Sequence, residues 1–368
     1  MATIRKRTLP SGKVRWQVDF VDQAGGRRAK LFERKKDADT FLVTARARIQ
    51  AGSYLHDAGS VTVGMAADAW LVHCRVRRDA GRRMERRTCR DYEDKVRLHI
   101  KDAEAGIAGT KLSRLTRKAV NDFRDRLLAS GRSEGTTRKV LNVLRLVLNH
   151  AMDNAQLHAN PAHGVRVLRS SRIDYKVAVP AKTDVKALID GARGRLRPML
   201  IVSALCGLRA SETRGLRWSD VDFAAGFVHV RQRADFHGTI GEPKSAAGFR
   251  SVPAGPYVLN GLREWKLACP RGGFDLVFPA TDGSVADHSN TLRRHFKPLC
   301  KEVGVTMRWH DLRHFAVSLW IEQGFSIKEV MAFAGHASVQ MTMERYGHLF
   351  PTPDHQRGMA QVEQRLFG

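Results

Sequence analysis

Three short stretches in the C-terminal half hold residue types that can bind an anion and move protons. In Gly207-Leu208-Arg209-Ala210-Ser211-Glu212 an arginine begins a helix just after an apolar one breaks. A guanidinium there opposes the helix dipole and needs an anion, whether a carboxylate or a phosphate. In Trp309-His310-Asp311-Leu312-Arg313-His314 the spacing puts His310 and Arg313 on one helix face. His310 and His314 also imitate the ligand pair of a zinc hydrolase helix. That motif wants Glu directly after the first histidine, whereas Asp311 is one methylene shorter, so zinc is set aside. The third stretch runs from Gly335-His336 to Tyr346-Gly347-His348-Leu349, with Thr342 one turn before Tyr346. A lone tyrosine near a C-terminus is ordinarily structural, but its combination with two arginines and several histidines changes that reading.

These residues need a scaffold, and residues 177–368 read as mixed and mainly helical. Helices are expected at 182–191, 198–206, 211–218, 291–303, 310–323 and 327–334. Short strands at 227–233 and 250–253 flank a loop containing Gly238, Gly241 and Gly248. Residues 58–176 read as all-helical, with Thr62 and Thr116 as caps and Asn160-Pro161 closing the block. Leu168 to Pro180 reads as the linker that follows. Residues 1–57 alternate at Val14, Trp16, Val18 and Phe20, the period of a half-buried strand. With flanking strands and a helix over 36–49 they form a small sheet module. The expected fold class is therefore multidomain α+β: a three-stranded sheet with a helix, a helical domain, and a mixed domain with a small antiparallel sheet.

The chain has 368 residues and 63 Lys plus Arg against 37 Asp plus Glu, a formal charge of +26. The three segments carry +7, +12 and +7, so the excess belongs to every domain and not to a tail. Such a field favours nucleic acid. On the sheet module Arg5, Arg7, Arg15, Arg28 and Lys30 are expected on one exposed face that could lie in a DNA groove. In the helical domain eight arginines between Arg75 and Arg90, including Arg82, Arg83, Arg86 and Arg87, form the densest phosphate-binding candidate, and Arg138 adds to it. Five scattered cysteines with no C-x2-C pair argue against a disulfide framework or a cysteine-rich zinc site. With no apolar run of spanning length and no secretory signal, a cytoplasmic, nucleoid-associated location is expected.

Taken in order, Arg209, the His310–Arg313 pair, His336 and Tyr346 resemble the catalytic set of the tyrosine recombinases, the phage integrase family. Lys244, in Glu242-Pro243-Lys244-Ser245, sits where that family places a lysine on a β-hairpin. The helical block resembles the family's core-binding domain, and residues 1–57 are similar to the arm-type domains of phage and genomic-island integrases. The resemblance implies that Tyr346 attacks a DNA phosphodiester, giving a 3′-phosphotyrosine and a 5′-hydroxyl. Arg209 and Arg313 would hold the non-bridging oxygens and His336 would donate to them. His310 would exchange a proton with the tyrosine, Lys244 would protonate the leaving oxygen, and Glu212 would orient Arg209. It further implies double-stranded attachment sites, a homotetramer on DNA, and a host architectural protein or excisionase as candidate accessory partners. With this cationic set no metal is expected to be required, and the absence of a G-x4-G-K-[ST] motif removes ATP. The apolar stripe Met359, Val362, Leu366 and Phe367 is a candidate for docking on a neighbouring protomer. The alternatives are a type IB topoisomerase-like enzyme and a non-catalytic DNA-binding regulator.

Overall fold

The alternation at Val14 to Phe20 becomes the middle strand of a three-stranded antiparallel sheet in the computed structural model of the protein. The structure describes residues 2–22, 25–50, 54, 56–57, 59–81, 84–168, 177–350, 360 and 363–367. Strands β1 (Thr3–Thr8), β2 (Val14–Val21) and β3 (Arg27–Phe32) lie in that order, and α1 (Lys35–Gln50) covers one face. Val18, Phe20 and Ala38 are buried there, ringed by Ile4, Trp16, Phe32, Phe41 and Leu42.

The register corrects one expectation. Val18 pairs with Lys30 and Phe20 with Arg28, and directly paired residues of an antiparallel sheet point to the same side. Arg28 and Lys30 therefore share the helix-covered side, while Arg5, Arg7 and Arg15 lie on the other, paired with Gln17 or with each other. Arg28 meets Asp22 at 2.7 Å, and the Lys30 ammonium lies 4.6 Å from the centre of the Phe41 ring. Alternation within a strand is local, but parity between strands depends on where each turn ends.

Four helices follow: α2 (Val63–Asp79), α3 (Arg86–Lys95), which runs into a π-turn to Ile100, α4 (Arg117–Ala129) and α5 (Glu134–Asp153). Thr62, Thr116 and Ser133 cap α2, α4 and α5 through their hydroxyls. Trp70, Leu71, Phe123, Val140, Leu144 and Leu148 form a core separate from that of the sheet module. Asp57 accepts hydrogen bonds from Ser113 and Arg114, which ties it to this block. The chain divides into two compact units, residues 1–172 and 173–368, the first holding both of these cores.

The second unit begins with α6 (Lys182–Gly191), α7 (Leu196–Leu205) and α8 (Ala210–Gly215). Then come β4 (Val221–Asp222), β5 (Phe227–Val230), β6 (Arg233–Ala234), β7 (Ile240–Gly241) and β8 (Arg250–Pro253). The expected strand over 227–233 is thus two pieces, β5 in a β4-β5-β8 sheet and β6 in a two-stranded hairpin with β7. Next are α9 (Pro256–Ala268), α10 (His288–Thr291), α11 (Lys297–Glu302), α12 (Trp309–Glu322), α13 (Ile327–Ala334) and α14 (Val339–Tyr346). The single helix expected over 291–303 is α10, a π-turn and α11. Helix α12 buries ten of its fourteen residues and packs on α7 at the centre of this unit. No helix among the described residues is long and apolar enough to cross a membrane.

Candidate active site

Two glycines let the segments of the site approach one another. Gly207, at φ +61°, ends α7, and a Cβ there would lie 2.8 Å from Trp320 of α12. The backbone can therefore press against α12, and Arg313 Nη1 donates to the Gly207 carbonyl at 2.7 Å. Gly335, also at φ +61°, ends α13 in the left-handed conformation, where a Cβ would lie 2.7 Å from the Ala247 carbonyl.

The last carbonyls of α13 then serve three arginines. Phe333 accepts from Arg250 Nε at 2.7 Å, Ala334 from Arg313 Nη2, and Gly335 from Arg209 Nη2 at 2.9 Å. Such carbonyls have no partner within the helix and carry its negative dipole end, so they suit cations. Glu212 completes the cluster: its carboxylate accepts from the Arg209 backbone and guanidinium and from both terminal nitrogens of Arg250. Burial would raise its pKa, but the Arg250 hydrogen bonds and charge, with that of Arg209, hold it at about 2. Three guanidiniums against one carboxylate leave the pocket cationic. Burial, followed by Arg209, lowers Arg313 to about 9, so it remains charged at neutral pH. The Arg209 side chain is 35% exposed and open to a further anion, whereas those of Arg250 and Glu212 are each 4% exposed.

Tyr346 closes α14 and is 1% exposed. Its ring lies nearly parallel to that of His336, with centroids 6.3 Å apart, and His336 Nδ1 shares a 2.9 Å hydrogen bond with Thr342 Oγ1 one turn earlier. The Tyr346 oxygen lies 2.5 Å from His314 Nδ1. This differs from the expectation for His310, which is exposed in the first turn of α12 and touches the edge of the His314 ring, 4.8 Å between centroids. One turn along α12 separates a surface histidine from a buried one. Burial, with Arg313 and Arg209 next, lowers His336 to about 3; burial, with His310 next, lowers His314 to about 4. Both rings are neutral at pH 7. Burial also raises the Tyr346 phenol, against the opposing charges of Arg313 and Arg345. Asp311 supports the helix itself, accepting from the backbone and side chain of Arg308 and so capping α12.

Lys244 is exposed in the segment between β7 and β8. That segment is anchored at the site, because Gly248 accepts from Arg250 Nη1 and Ala247 packs on Gly335. Among the proposed DNA contacts, Arg15 is paired with Glu33, Arg86 and Arg87 are exposed on α3, and Arg138 is exposed near Glu134. Arg82 and Arg83 lie outside the described residues, as do Met359 and Val362 of the apolar stripe, whereas Leu366 and Phe367 are exposed. Sequence reasoning assigns no role to Arg250, His314 or Arg345. The first two act through partners more than thirty residues away, and no local spacing reveals such contacts.

Residues 181–352 match the model of the phage integrase family. The chain is 26% identical over 329 residues to a XerC-like tyrosine recombinase of Caldanaerobacter subterraneus, covering 80% of this chain and 81% of that protein. It is 30% identical to the tyrosine recombinase XerC of Yersinia pestis, covering 57% of this chain and 67% of that one. Its fold resembles that of the Tn1549 transposon integrase, solved in complex with a circular intermediate DNA, with a TM-score of 0.66 at 19% identity over 83% of this chain and 99% of the integrase chain. With its ordered arginines, histidines and tyrosine gathered in one cationic pocket, the chain belongs to the phage integrase family of tyrosine recombinases, enzymes that exchange DNA strands at specific sites.

Proposed function

We propose that this recombinase integrates and excises a phage or other mobile element, with Tyr346 as its nucleophile. The observation that carries the reading is the convergence of Arg209, Arg313, His336 and Tyr346 from separate elements onto one pocket. Arg209 and Arg313 hold the non-bridging phosphate oxygens as charge builds in the transition state, and Glu212 fixes Arg209. The Thr342 bond occupies His336 Nδ1 and leaves Nε2 to donate to the same oxygens. Lys244 protonates the leaving 5′-oxygen, a step for which an arginine is ill suited because it does not give up its proton. Tyr346 is buried in this structure, so the pocket must open before a phosphodiester reaches its oxygen.

The cations already present stand where a metal would otherwise neutralise charge, and the phosphotyrosine bond conserves the energy for rejoining, so neither metal nor ATP is needed. Exchange between two duplexes cuts four strands. With one nucleophilic tyrosine per chain, that chemistry calls for a homotetramer on double-stranded attachment sites. The reaction belongs in the cytoplasm, at the nucleoid, with a host architectural protein or an excisionase setting direction.

The test is a nicked duplex bearing the attachment site. The wild-type protein should become covalently attached, and Tyr346→Phe should bind the duplex without forming the adduct. Adduct formation by Tyr346→Phe would remove Tyr346 as nucleophile. Relaxation of supercoils without recombinant product would favour the topoisomerase-like alternative, and DNA binding without any adduct would favour the regulator. The relatives named above are all recombinases.

A further inference from the structure

The phenol of Tyr346 is a poor nucleophile until its proton leaves, and the family resemblance gives that proton to His310. His310 is exposed, with Arg313, Arg345 and Arg209 as charged neighbours, and its ring rests on that of His314. His336 is also engaged elsewhere, with Nδ1 bonded to Thr342 and its ring parallel to the tyrosine. His314 is 6% exposed, belongs to the buried face of α12, and has Nδ1 at 2.5 Å from the Tyr346 oxygen. We propose that His314 is the base that takes the proton from Tyr346 as it attacks DNA, an inference that rests on Tyr346 being the nucleophile.

The step balances. The Tyr346 O–H bond breaks, its proton goes to His314 Nδ1, and the tyrosine oxygen forms the bond to phosphorus. The P–O5′ bond breaks, and the leaving oxygen takes a proton from a different group, Lys244 in the reading above. Rejoining runs the same sequence backwards, with His314 returning its proton to the departing tyrosine. The surroundings couple this transfer to DNA. His310 and Arg308 on α12 and Arg345 on α14, together with burial, disfavour positive charge on His314, while Asp311 alone of its charged neighbours favours it. The ring is therefore neutral and able to accept before DNA binds. An entering phosphodiester adds negative charge beside it, which stabilises the imidazolium only when substrate is present.

The experiment measures single-turnover adduct formation on a nicked duplex from about pH 5.5 to 9.5, with DNA affinity measured in parallel. The expected wild-type rate is flat around neutrality. His314→Ala should lose on the order of 10²–10⁴-fold in rate, the usual contribution of a positioned base. Its remaining rate should rise about tenfold per pH unit, as the phenol must then ionise unaided. Added imidazole should recover part of the loss. A duplex with a 5′-bridging phosphorothiolate, whose leaving group needs no proton, should rescue Lys244→Ala and leave His314→Ala slow. If His314→Ala does not fold, His314→Asn carries the same pH profile. The proposal is overturned by a His314→Ala rate near wild type with a flat profile, by full activity in His314→Asn, or by phosphorothiolate rescue of His314→Ala. No adduct from the wild-type protein on either duplex would instead overturn Tyr346 as the nucleophile.

Discussion

On the sheet module Arg15 meets Glu33 at 2.7 Å, and in the catalytic pocket Arg250 meets Glu212 at the same distance. The Glu33 side chain is 76% exposed, whereas those of Arg250 and Glu212 are each 4% exposed. In water such a pair is worth at most about 1 kcal/mol, and either partner can change hands, so Arg15 can release Glu33 for a phosphate. In the pocket the charges have no water to fall back on, and their geometry is locked by the carbonyls at the end of α13. One kind of contact thus serves two purposes. On the surface it leaves the cation exchangeable and able to turn to another anion. Inside it is the frame that holds Arg209, still 35% exposed, in position.

The largest effect that could break this contrast is on stability. Glu212→Gln keeps the side chain's shape but leaves Arg250 buried without its counter-charge, and should cost about 3–5 kcal/mol in urea unfolding of the second unit. Glu33→Gln should change unfolding of the first unit by less than about 1 kcal/mol. Equal losses at the two sites would mean that burial does not separate them. Adduct formation should fall with Glu212→Gln even under conditions where the variant is fully folded, because the amide has one acceptor oxygen where the carboxylate offers two, one to the Arg209 backbone and one to its guanidinium.

Much of the pocket was legible because its parts are local. Helix α13 runs over the expected residues because Ser326 and Glu329 form a reciprocal cap at one end and Gly335 stops it at the other. The spacings within 207–212, 309–314 and 335–346 placed the arginines and Tyr346 in recognisable order. The contacts that make these pieces one site were not legible. Glu212 reaches Arg250 across 38 residues and His314 reaches Tyr346 across 32, and nothing in either local pattern marks the partner. Helix α9 was missed as well, although Pro256 in its first turn is a common helix start. The face assigned to Arg28 and Lys30 failed for a related reason, because strand register is itself a long-range property.

A smaller effect separates the two regions by pH. His314 and His336 hold pKa values of about 4 and about 3 in the folded protein, below the ordinary value near 6.5. Below about pH 6.5 the unfolded chain binds protons that the folded chain refuses, so stability falls as pH falls, until the folded values are reached. Each histidine contributes up to about 1.4 kcal/mol per pH unit over that window. Residues 1–50 contain no histidine. Hydrogen exchange between pH 7 and 5, corrected for intrinsic rates, should show opening of α12 becoming easier while that of β2 holds. His336→Asn should make the α12 trend less steep, with His314 supplying the remainder, and an unchanged trend would show that His336 does not contribute.

The smallest expected effect distinguishes the two faces of the sheet. Arg15 lies with Arg5 and Arg7 on the side away from α1, and Lys30 lies on the other side over Phe41. If the open side meets DNA, Arg15→Ala should weaken binding to all sequences alike and lower the slope of log affinity against log salt by about one. Lys30→Ala should leave that slope unchanged, because its ammonium is already placed against an aromatic ring on the covered side. Binding titrations at several salt concentrations, using a duplex long enough to engage the sheet module, read both variants. A slope lost with Lys30→Ala and kept with Arg15→Ala would turn the sheet over on its DNA. The cations that meet phosphate would then be those that share the side of Val18 and Phe20.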